Sequence, residues 1–212
     1  MSELDGAQLR ISAGWTRPAP ELVAEFARFQ VANLGDAMER LGICDSGISP
    51  IWPGAKFVGT ALPILTTAGD NAAIIKAQEF IQPGDVVMVN GAGDLGRALI
   101  GDNLVQRFAA RGAAGAVVDG CVRDRDTIEN LGFPVFARGV TPAGPFKNGP
   151  GVIGEDVAIG GVVFHPGDIV CADSDGIIVI PPARAREVLD AVLAVVAREE
   201  ALDAEVAAAT FS

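Results

Sequence analysis

The fold is decided by the stretch GAVVDGCVRDRDTIENLGFPV, residues 115–135. Its beginning, GAVVDGCV, is mostly apolar and has the length of a buried strand, whereas RDRDTIENLG carries charges and has the length of a short helix. FPV then begins a second apolar run. Because a strand, a helix and a strand in succession are typical of an α/β layer, the sequence predicts an α/β fold.

The same alternation extends toward the amino terminus. Helices are predicted over residues 21–42, with an interruption at Gly35, over residues 71–81, where Asp70 can act as the cap, and over residues 99–113. Each of these helices is followed by an apolar segment of strand length, which continues the α/β pattern.

Several strands carry turn residues that indicate their position. In the predicted strand 57–67, Pro63 indicates a sheet edge or an irregular end. Residues 83–91 and 166–176 both begin with a Pro-Gly-Asp turn that leads into an apolar strand. The short apolar segments between residues 157 and 181 are predicted to form an antiparallel or mixed β layer.

The chain ends in a long predicted helix over residues 181–210, with proline at its start. No linker or low-complexity tract interrupts the sequence, so residues 1–212 are predicted to form a single domain with a sizeable core. The amino-terminal residues lack the basic-then-apolar pattern of a signal peptide, and no window approaches the roughly 20 apolar residues of a membrane helix.

The composition excludes several classes of partner. The residues are 50% hydrophobic and 20% charged, as in globular proteins, and the formal net charge is −11. Such an acidic chain lacks a basic field, so neither nucleic acid nor an anionic membrane is expected as a partner, although a local arginine can still bind an anionic small molecule. Cys44, Cys121 and Cys171 form no C-x-x-C pair, which predicts free thiols in the reducing cytosol.

Missing motifs exclude several classes of enzyme. The sequence has neither a G-x-S-x-G elbow nor a Walker A loop, and the glycines of residues 90–96 lack the spacing of a dinucleotide-binding loop. The single histidine, His165, argues against a histidine-rich zinc site, and its position beside a Pro-Gly turn indicates a surface residue.

Carboxylates and an arginine remain as candidates for chemistry. Asp102 begins the helix after LIG, while Arg123 and Asp124 end the strand AVVDGCV. Because strand carboxyl ends and helix amino ends converge on one crevice of an α/β layer, these residues are expected to meet. Free amides at the helix start would attract a carboxylate, so the set favours a metal-chelated 2-oxo acid as ligand. These amides belong to Gly101, Asp102, Asn103 and Leu104.

The same residues also have a purely structural interpretation. Asp102 can be a helix N-cap worth about 1 kcal/mol, and residues 123–126 can be a solvated helix start with weak ion pairs. Arg97 can reach a second carboxylate of a substrate or pair with Asp94. Asp119, within the strand, is interpreted as a structural hydrogen-bonding residue.

Several segments of the chain resemble the RraA-like family, which joins regulators of ribonuclease E activity to class II pyruvate aldolases. They include NLGDAMERLG, FVGTA, IQPGDVVMVNG, GDNL, GAVVDGCVRD, FPVFARG and PGDIVCADSDGIIVIP. The most specific feature is Asp-x20-Arg-Asp, met by Asp102, Arg123 and Asp124. The intact arginine–aspartate pair favours the aldolase branch, which acts on 4-hydroxy-4-methyl-2-oxoglutarate and 4-carboxy-4-hydroxy-2-oxoadipate.

The resemblance implies a swivelling β/β/α-type fold and a role for each matching residue. Asp124 would bind Mg²⁺ or Mn²⁺, and Asp102 would hold a water on that metal. Arg123 would face the substrate carbonyl or carboxylate, while the amides of Asn103 and Leu104 would bind the pyruvyl carboxylate. Cleavage would release pyruvate and a second keto acid, and decarboxylation of oxaloacetate is a possible side activity because it passes through the same enolate.

The resemblance also implies assembly and leaves one residue open. Family members form trimers, often paired into hexamers, with the site between subunits and a glutamate from the neighbouring C-terminal helix near the metal waters. The candidates for that carboxylate are Glu199, Glu200, Asp203 and Glu205. The alternative function is a non-catalytic trimeric binding protein similar to the ribonuclease regulators.

Overall fold

A nine-stranded mixed sheet runs through the protein. The computed structural model describes residues 8–12 and 14–210. The strands are β1 (Leu9–Ile11), β2 (Ser49–Pro50), β3 (Phe57–Thr66), β4 (Asp85–Ile100), β5 (Gly115–Val122), β6 (Val135–Val140), β7 (Gly151–Ile153), β8 (Val157–Ile159), β9 (Val162–Phe164), β10 (Ile169–Asp173) and β11 (Gly176–Ile180). The α-helices are α1 (Pro20–Glu25), α2 (Val31–Ala37), α3 (Ala72–Ala77), α4 (Asp102–Ala110), α5 (Arg125–Leu131) and α6 (Ala185–Thr210).

The centre of the sheet is parallel. Its strand order is β1-β7-β3-β4-β5-β6-β2, and β3, β4, β5 and β6 are parallel neighbours. β10 joins β3 in antiparallel fashion and carries β11, while β8 and β9 form a separate two-stranded sheet. The α/β class and the long C-terminal helix predicted from the sequence are confirmed, and α6 has 26 residues.

Both faces of the central sheet are covered, which explains the continuous apolar run of β5. Successive side chains of a strand point to opposite faces. Val118 therefore packs in the cluster that contains Phe108 of α4 and Ile128 of α5. Its neighbour Val117 packs in the cluster that contains Phe164 of β9. The sheet thus lies between a helical layer and a β layer.

The first predicted helix is wrong in its extent. Phe29 is extended, with φ −109° and ψ 147°, so α1 and the short turn after it are separate from α2. The carboxylate of Asp173 accepts a hydrogen bond from the amide of Val31 at 2.9 Å and so caps α2. The break is therefore set by a residue of β10, and Gly35 lies inside α2 rather than at the interruption.

Pro63 lies in the interior of the sheet, which corrects the prediction of an edge or irregular end. β3 pairs with β4 on one side, and on the other side with β10 at Thr60 and with β7 from Ile64 onward. Pro63 lies between those two partners, and its carbonyl accepts a hydrogen bond from the amide of Gly154 at 2.9 Å. A residue without an amide proton fits this position because no ladder strand lies opposite it.

The glycine-rich segment after residue 90 is a bulged continuation of β4. The β4–β5 register shifts between Asn90 and Asp94, again before Ala98 and once more before Ile100. In this way β4 ends with Ile100 opposite Val122. α4 begins at Asp102, as predicted for the helix after LIG, whereas Leu99 and Ile100 of the predicted range 99–113 belong to β4. The residues that follow each strand end are therefore neighbours.

Among the described residues, no helix combines the length and apolar character that a membrane span requires.

Candidate active site

A cavity of about 340 Å³ lies at the carboxyl ends of β4 and β5. One wall is formed by Gly101 and the first turns of α4, and Arg123 lies after the end of β5. Asn71, at the start of α3, and the loop that carries Lys147 complete the walls. The cavity is at the place where ligands bind in open α/β sheets.

The structure brings Asp102, Arg123 and Asp124 together beside this cavity. The amide of Asp102 donates a hydrogen bond to Asp124 Oδ2 at 3.3 Å, and Arg123 Nε lies 3.2 Å from the same oxygen. The amide of Arg123 bonds to the carbonyl of Ile100 at 3.0 Å, which links the two strand ends. Residues separated by 20 others in the motif thus meet because their strands are paired.

Gly101 permits this close approach. A Cβ atom at this position would overlap Asp124 Oδ2 and would lie 3.0 Å from Arg123 Nε. Any side chain there would push the carboxylate or the guanidinium away from the start of α4. Besides its predicted role as an amide donor, residue 101 therefore has a steric reason to be glycine.

The prediction that Asp102 can be a helix N-cap is wrong. Asp102 is the first residue of α4 and Gly101 is the capping residue, so the first amide of the helix bonds to Asp124 and not to the side chain of Asp102. Asp124 precedes α5 in a left-handed conformation, with φ 59° and ψ 36°, and its side chain does not cap that helix either. A non-glycine residue in this region costs energy, and such residues cluster at functional sites. Both carboxylates are therefore available to a ligand.

The solvated-helix interpretation does hold for the rest of the RDRD run. Arg125 and Asp126 are exposed in the first turn of α5 and do not line the cavity. An acidic residue at this position favours the helix dipole and needs no ligand to explain it.

The cavity itself is cationic. Arg107, Arg123 and Lys147 line it, and within the described part of the chain no acidic side chain does so. The amides at the start of α4 add further positive potential. A carboxylate ligand is therefore expected inside the cavity, with the carboxylates of Asp102 and Asp124 at its border.

Asn71, which lines this cavity, has an unused acceptor. Asn71 is 5% exposed, its Nδ2 donates to the carbonyl of Leu99 at 3.0 Å, and its Oδ1 has no partner among the residues that the structure describes. A buried amide oxygen without a partner is costly, so the position fits a ligand or water that donates a hydrogen bond.

The donor set beside the cavity fits a hard divalent cation. Asp124 Oδ1 accepts no hydrogen bond from the residues that the structure describes, and Asp102 offers a second carboxylate nearby. No group of three His, Cys, Asp or Glu side chains converges within that part of the chain. Mg²⁺ keeps several waters when the protein supplies few oxygens, so one direct carboxylate and one nearby carboxylate suit it.

Arg97 has a different role from both of those predicted. Its Nη1 donates to the carbonyl of Gly144 at 2.6 Å, and its guanidinium lies 4.0 Å over the ring of Phe146. The contact with Asp94 is made by the amide of Arg97, at 3.2 Å, rather than by its side chain. Arg97 thus holds the loop that carries Lys147 against the cavity.

Asp70 holds the same loop from the other side. Its Oδ2 accepts hydrogen bonds from the amides of Asn148 and Gly149 at 2.9 and 2.8 Å. Its Oδ1 accepts one from the amide of Ala72, the first residue of α3, at 2.8 Å. The capping residue itself is Asn71, so the predicted cap at Asp70 is wrong by one residue. One aspartate therefore fixes both α3 and a cavity wall.

Other predicted polar residues have structural surroundings. Asp119 bonds to Arg138 and to the amide of Gly160, as predicted for a structural residue. His165 is exposed and pairs with Asp156 at 2.9 Å. The three cysteines are free and buried, and burial raises the pKa of Cys44 to about 12, so this thiol is a poor nucleophile at neutral pH.

The acidic residues of α6 are exposed near its carboxyl end. Glu199 Oε2 accepts a hydrogen bond from Asn33 Nδ2 of the same chain. Glu200, Asp203 and Glu205 project from the same exposed end of the helix. The structure of one chain therefore leaves the choice among the four open.

Sequence reasoning missed Asn71, Arg107 and Lys147. Arg107 follows Asn103 by four residues on α4, and this spacing, which places two side chains on one helix face, could have revealed it. Asn71 and Lys147 had no comparable signal, because their positions depend on how residues 143–149 pack against residues 69–71.

Comparison with known proteins identifies the family. Residues 31–179 match the RraA-like family, described as Aldolase/RraA. A protein of Halalkalibacterium halodurans is 36% identical over 169 residues, which are 80% of this chain and 80% of that protein. A protein of Ectopseudomonas mendocina is 41% identical over 114 residues, which are 54% of this chain and 70% of that protein. Both are provisionally named 4-hydroxy-4-methyl-2-oxoglutarate aldolases.

Solved structures agree with this assignment. Streptomyces coelicolor RraAS2, titled an unusual member of the RNase ES inhibitor RraA family, aligns with a TM-score of 0.78 at 33% identity, covering 88% of this chain and 98% of that one. The RNA-processing inhibitor RraA from Thermus aligns with a TM-score of 0.67 at 30% identity, covering 73% and 93%. The matching family model and the extent of the identity to its relatives show that the chain belongs to the RraA-like family.

Proposed function

We propose that the protein is a divalent-metal-dependent pyruvate aldolase. Its substrate would be 4-hydroxy-4-methyl-2-oxoglutarate or 4-carboxy-4-hydroxy-2-oxoadipate, cleaved to pyruvate and a second keto acid. The observation that carries the proposal is the meeting of Asp102, Arg123 and Asp124 beside a cationic cavity. The names of the relatives support the aldolase reaction.

Asp124 would hold Mg²⁺ or Mn²⁺, and Asp102 would accept hydrogen bonds from water on the ion. The bound ion would supply positive charge to the ketone and carboxylate oxygens of a 2-oxo acid. Both ions prefer oxygen ligands, so the donor set does not select between them.

The residues of the chain would bind and orient the substrate around this charge. The amides of Asn103 and Leu104 would bind the carboxylate next to the ketone, as helix amino ends bind anions. Arg123 would donate to the ketone oxygen, where negative charge develops. Gly101 would keep Arg123 and Asp124 close to these amides.

The reaction would then break the C3–C4 bond. Water oriented by Asp102 would take the proton of the C4 hydroxyl, C4 would become a carbonyl carbon, and the bonding electrons would form the pyruvate enolate. Arg123 would stabilise the enolate oxygen, and water would protonate C3 to complete pyruvate. Oxaloacetate would lose CO₂ to give the same enolate, so we propose decarboxylation as a side activity.

We also propose a homotrimer, or a hexamer built from two trimers. α6 is exposed on all sides from residue 197 to residue 209, and Leu193 and Leu202 are exposed on this helix. Apolar side chains on a projecting helix are typical of a surface covered by another subunit. A neighbouring α6 would bring one of its carboxylates to the site. Light scattering with size-exclusion chromatography would measure the mass of the assembly.

The second candidate function is a non-catalytic binding protein. It is favoured by the two RraA structures, which are described as a member of the RNase ES inhibitor family and as an inhibitor of RNA processing. A docking surface has no need of an arginine and two carboxylates at the border of a cavity. The acidic composition and buried free cysteines support an intracellular role in the reducing cytosol for either function.

Pyruvate release tests the proposal. The protein would be incubated with each substrate and with oxaloacetate, with Mg²⁺, Mn²⁺ or EDTA, and pyruvate would be measured through lactate dehydrogenase. We expect turnover with metal and none with EDTA. A parallel sample of Asp124→Ala with the same metal corrects for decarboxylation of oxaloacetate by the free ion. Absence of turnover on every substrate with either metal would leave the binding-protein function.

A further inference from the structure

The cavity contains more positive charge than one carboxylate requires. In a chain with a net charge of −11, Arg107, Arg123 and Lys147 all line it. Under the proposed function, Arg123 and the amides of α4 bind the reacting end of the substrate. Arg107 and Lys147 add further positive charge, and neighbouring like charges repel one another, which favours an anion between them.

Arg107 is the cation that the helix α4 itself places beside the cavity. It follows Asn103 by four residues on α4, so the two lie on one face of the helix. Helical side chains lean toward the amino terminus of the helix, which directs Arg107 back over the amides that would bind the first carboxylate. Four residues of helix span about 6 Å, so a second anionic group one turn away would reach the guanidinium.

Arg107 is also uncommitted. Its guanidinium forms no hydrogen bond or ion pair with the residues that the structure describes. Lys147 has an interaction with another part of the chain, and its loop is held by Arg97 and Asp70. A planar guanidinium binds a carboxylate through two parallel hydrogen bonds, which an ammonium group cannot do.

Asn71 gives independent evidence that the cavity is built for a ligand. Asn71 lines the cavity, and its buried Oδ1 accepts no hydrogen bond from the described residues, while its Nδ2 is already bonded to Leu99. The free acceptor requires a donor from the ligand or its water, and a hydroxyl group between two carboxylates would supply one.

We propose that Arg107 binds the second carboxylate of a dicarboxylic 2-oxo acid and so makes the site selective for dianionic substrates. This inference rests on the proposed function only in the placement of the first carboxylate on the amides of α4. Arg107 is then a specificity-determining residue, and it takes no part in breaking the carbon–carbon bond.

Binding of two matched ligands tests the inference without catalysis. 2-Oxoglutarate carries a second carboxylate, whereas 2-oxopentanoate has the same chain length and ends in a methyl group. Dissociation constants would be measured by titration calorimetry in the presence of Mg²⁺. We expect the protein to prefer 2-oxoglutarate, and Arg107→Gln to raise its dissociation constant about 10- to 100-fold, the range for a lost charge-assisted hydrogen bond.

Variants of Arg107 and of a neighbouring arginine test whether the guanidinium of Arg107 causes the preference for 2-oxoglutarate. Arg107→Gln should leave 2-oxopentanoate binding unchanged, and Arg107→Lys should recover part of the preference because it keeps the charge. Arg111→Gln is the matched control, since Arg111 directly follows the last residue of α4, is exposed and does not line the cavity. It should change neither dissociation constant, and circular dichroism would verify that all variants are folded.

Several results would overturn the inference. They are an unchanged preference in Arg107→Gln, an equal loss for both ligands, or a protein that does not distinguish or bind the two ligands. The proposed function fails separately: a protein that prefers 2-oxoglutarate through Arg107 but never releases pyruvate is a dicarboxylate-binding protein and not an aldolase. Conversely, pyruvate release with an unchanged preference in Arg107→Gln keeps the aldolase and rejects the role of Arg107.

Discussion

Two groups of arginine and aspartate lie along β5, and they differ in how completely they are paired. In the strand, Asp119 bonds through both oxygens, to Arg138 and to the amide of Gly160, and Arg138 also bonds to Asp45. After the strand end, Asp124 contacts Arg123 and one amide through a single oxygen. The Asp119 side chain is 11% exposed, whereas that of Asp124 is 34% exposed.

The difference separates a structural pair from a candidate ligand site. A buried carboxylate with both oxygens bonded has no capacity for a ligand, and its removal leaves a partner unpaired. A half-exposed carboxylate with a free oxygen contributes little to folding and can bind a cation. Residue type alone therefore does not identify the site. The site is identified by carboxylate oxygens that have no hydrogen-bond partner within the protein and remain able to bind a ligand.

The largest expected effect is on activity, in variants of Asp124. Asp124→Ala should reduce metal-dependent pyruvate release at least about 1,000-fold, because the ion loses its direct ligand. Asp124→Asn is the sharper variant, since asparagine tolerates the left-handed conformation and removes only the charge. Turnover would be measured by the coupled assay, and the assembly by light scattering. Activity of Asp124→Asn equal to the unmodified protein would reject Asp124 as the metal ligand.

The second effect is on stability, in a variant of Asp119. Asp119→Ala leaves Arg138 partly buried with one carboxylate fewer, and we expect it to lower the free energy of unfolding by about 3 kcal/mol. Urea denaturation measures this change. Asp126→Ala is the matched control, because Asp126 is exposed in the first turn of α5 and should cost less than about 1 kcal/mol. Equal losses in the two variants would remove the distinction between the groups.

The third effect, in a variant of Arg123, distinguishes a loss in the chemical step from a loss of metal binding. Arg123→Ala should lower kcat about 100-fold or more, because the enolate loses its donor, while the dissociation constant for Mn²⁺ stays nearly unchanged. Electron paramagnetic resonance of free Mn²⁺ measures the second quantity. Arg125→Ala, a change in the exposed neighbour that does not line the cavity, should leave kcat unaltered. A fully active Arg123→Ala protein would contradict the role of Arg123 in stabilising the enolate.

The convergence of Asp102 with Arg123 and Asp124 was predictable, because it follows from a rule about strand ends. The sequence marks β5 by its apolar run and α4 by its apolar period, and parallel pairing then brings the two ends together. No side chain needs to be placed accurately for that prediction. The same reasoning applies to the α/β class, which depends on the order of elements and not on their contacts.

Features that depend on distant contacts were not predictable. The break at Phe29 is set by Asp173, whose carboxylate caps α2 from β10. The interior position of Pro63 depends on where β10 ends and β7 begins. Local propensity contains no information about either partner, so sequence patterns placed the helix break and the strand edge wrongly.

The smallest expected effect concerns a third, more exposed pair, His165 and Asp156. The hydrogen bond that His165 donates to Asp156 is the main cause that raises the pKa of His165, with burial acting in the opposite direction. Because the folded pKa is raised, the stability from this pair is complete below about pH 6.5 and is lost as the pH rises through the folded pKa. The two side chains are 56% and 60% exposed, so we expect only about 0.3 kcal/mol.

The single histidine makes this pair measurable, because its ring protons give one titrating signal in an NMR spectrum. We expect Asp156→Asn to lower the pKa of His165 toward its ordinary value and to leave the urea midpoint nearly unchanged. Asp175→Asn is the control, since Asp175 lies in a different turn and contacts Asp173. A loss of stability comparable with that of Asp119→Ala would mean that exposure does not separate structural pairs from dispensable ones. A small loss would show that the contrast found along β5 also holds for this exposed pair. The contributions of the carboxylates to stability would then decrease as their exposure increases.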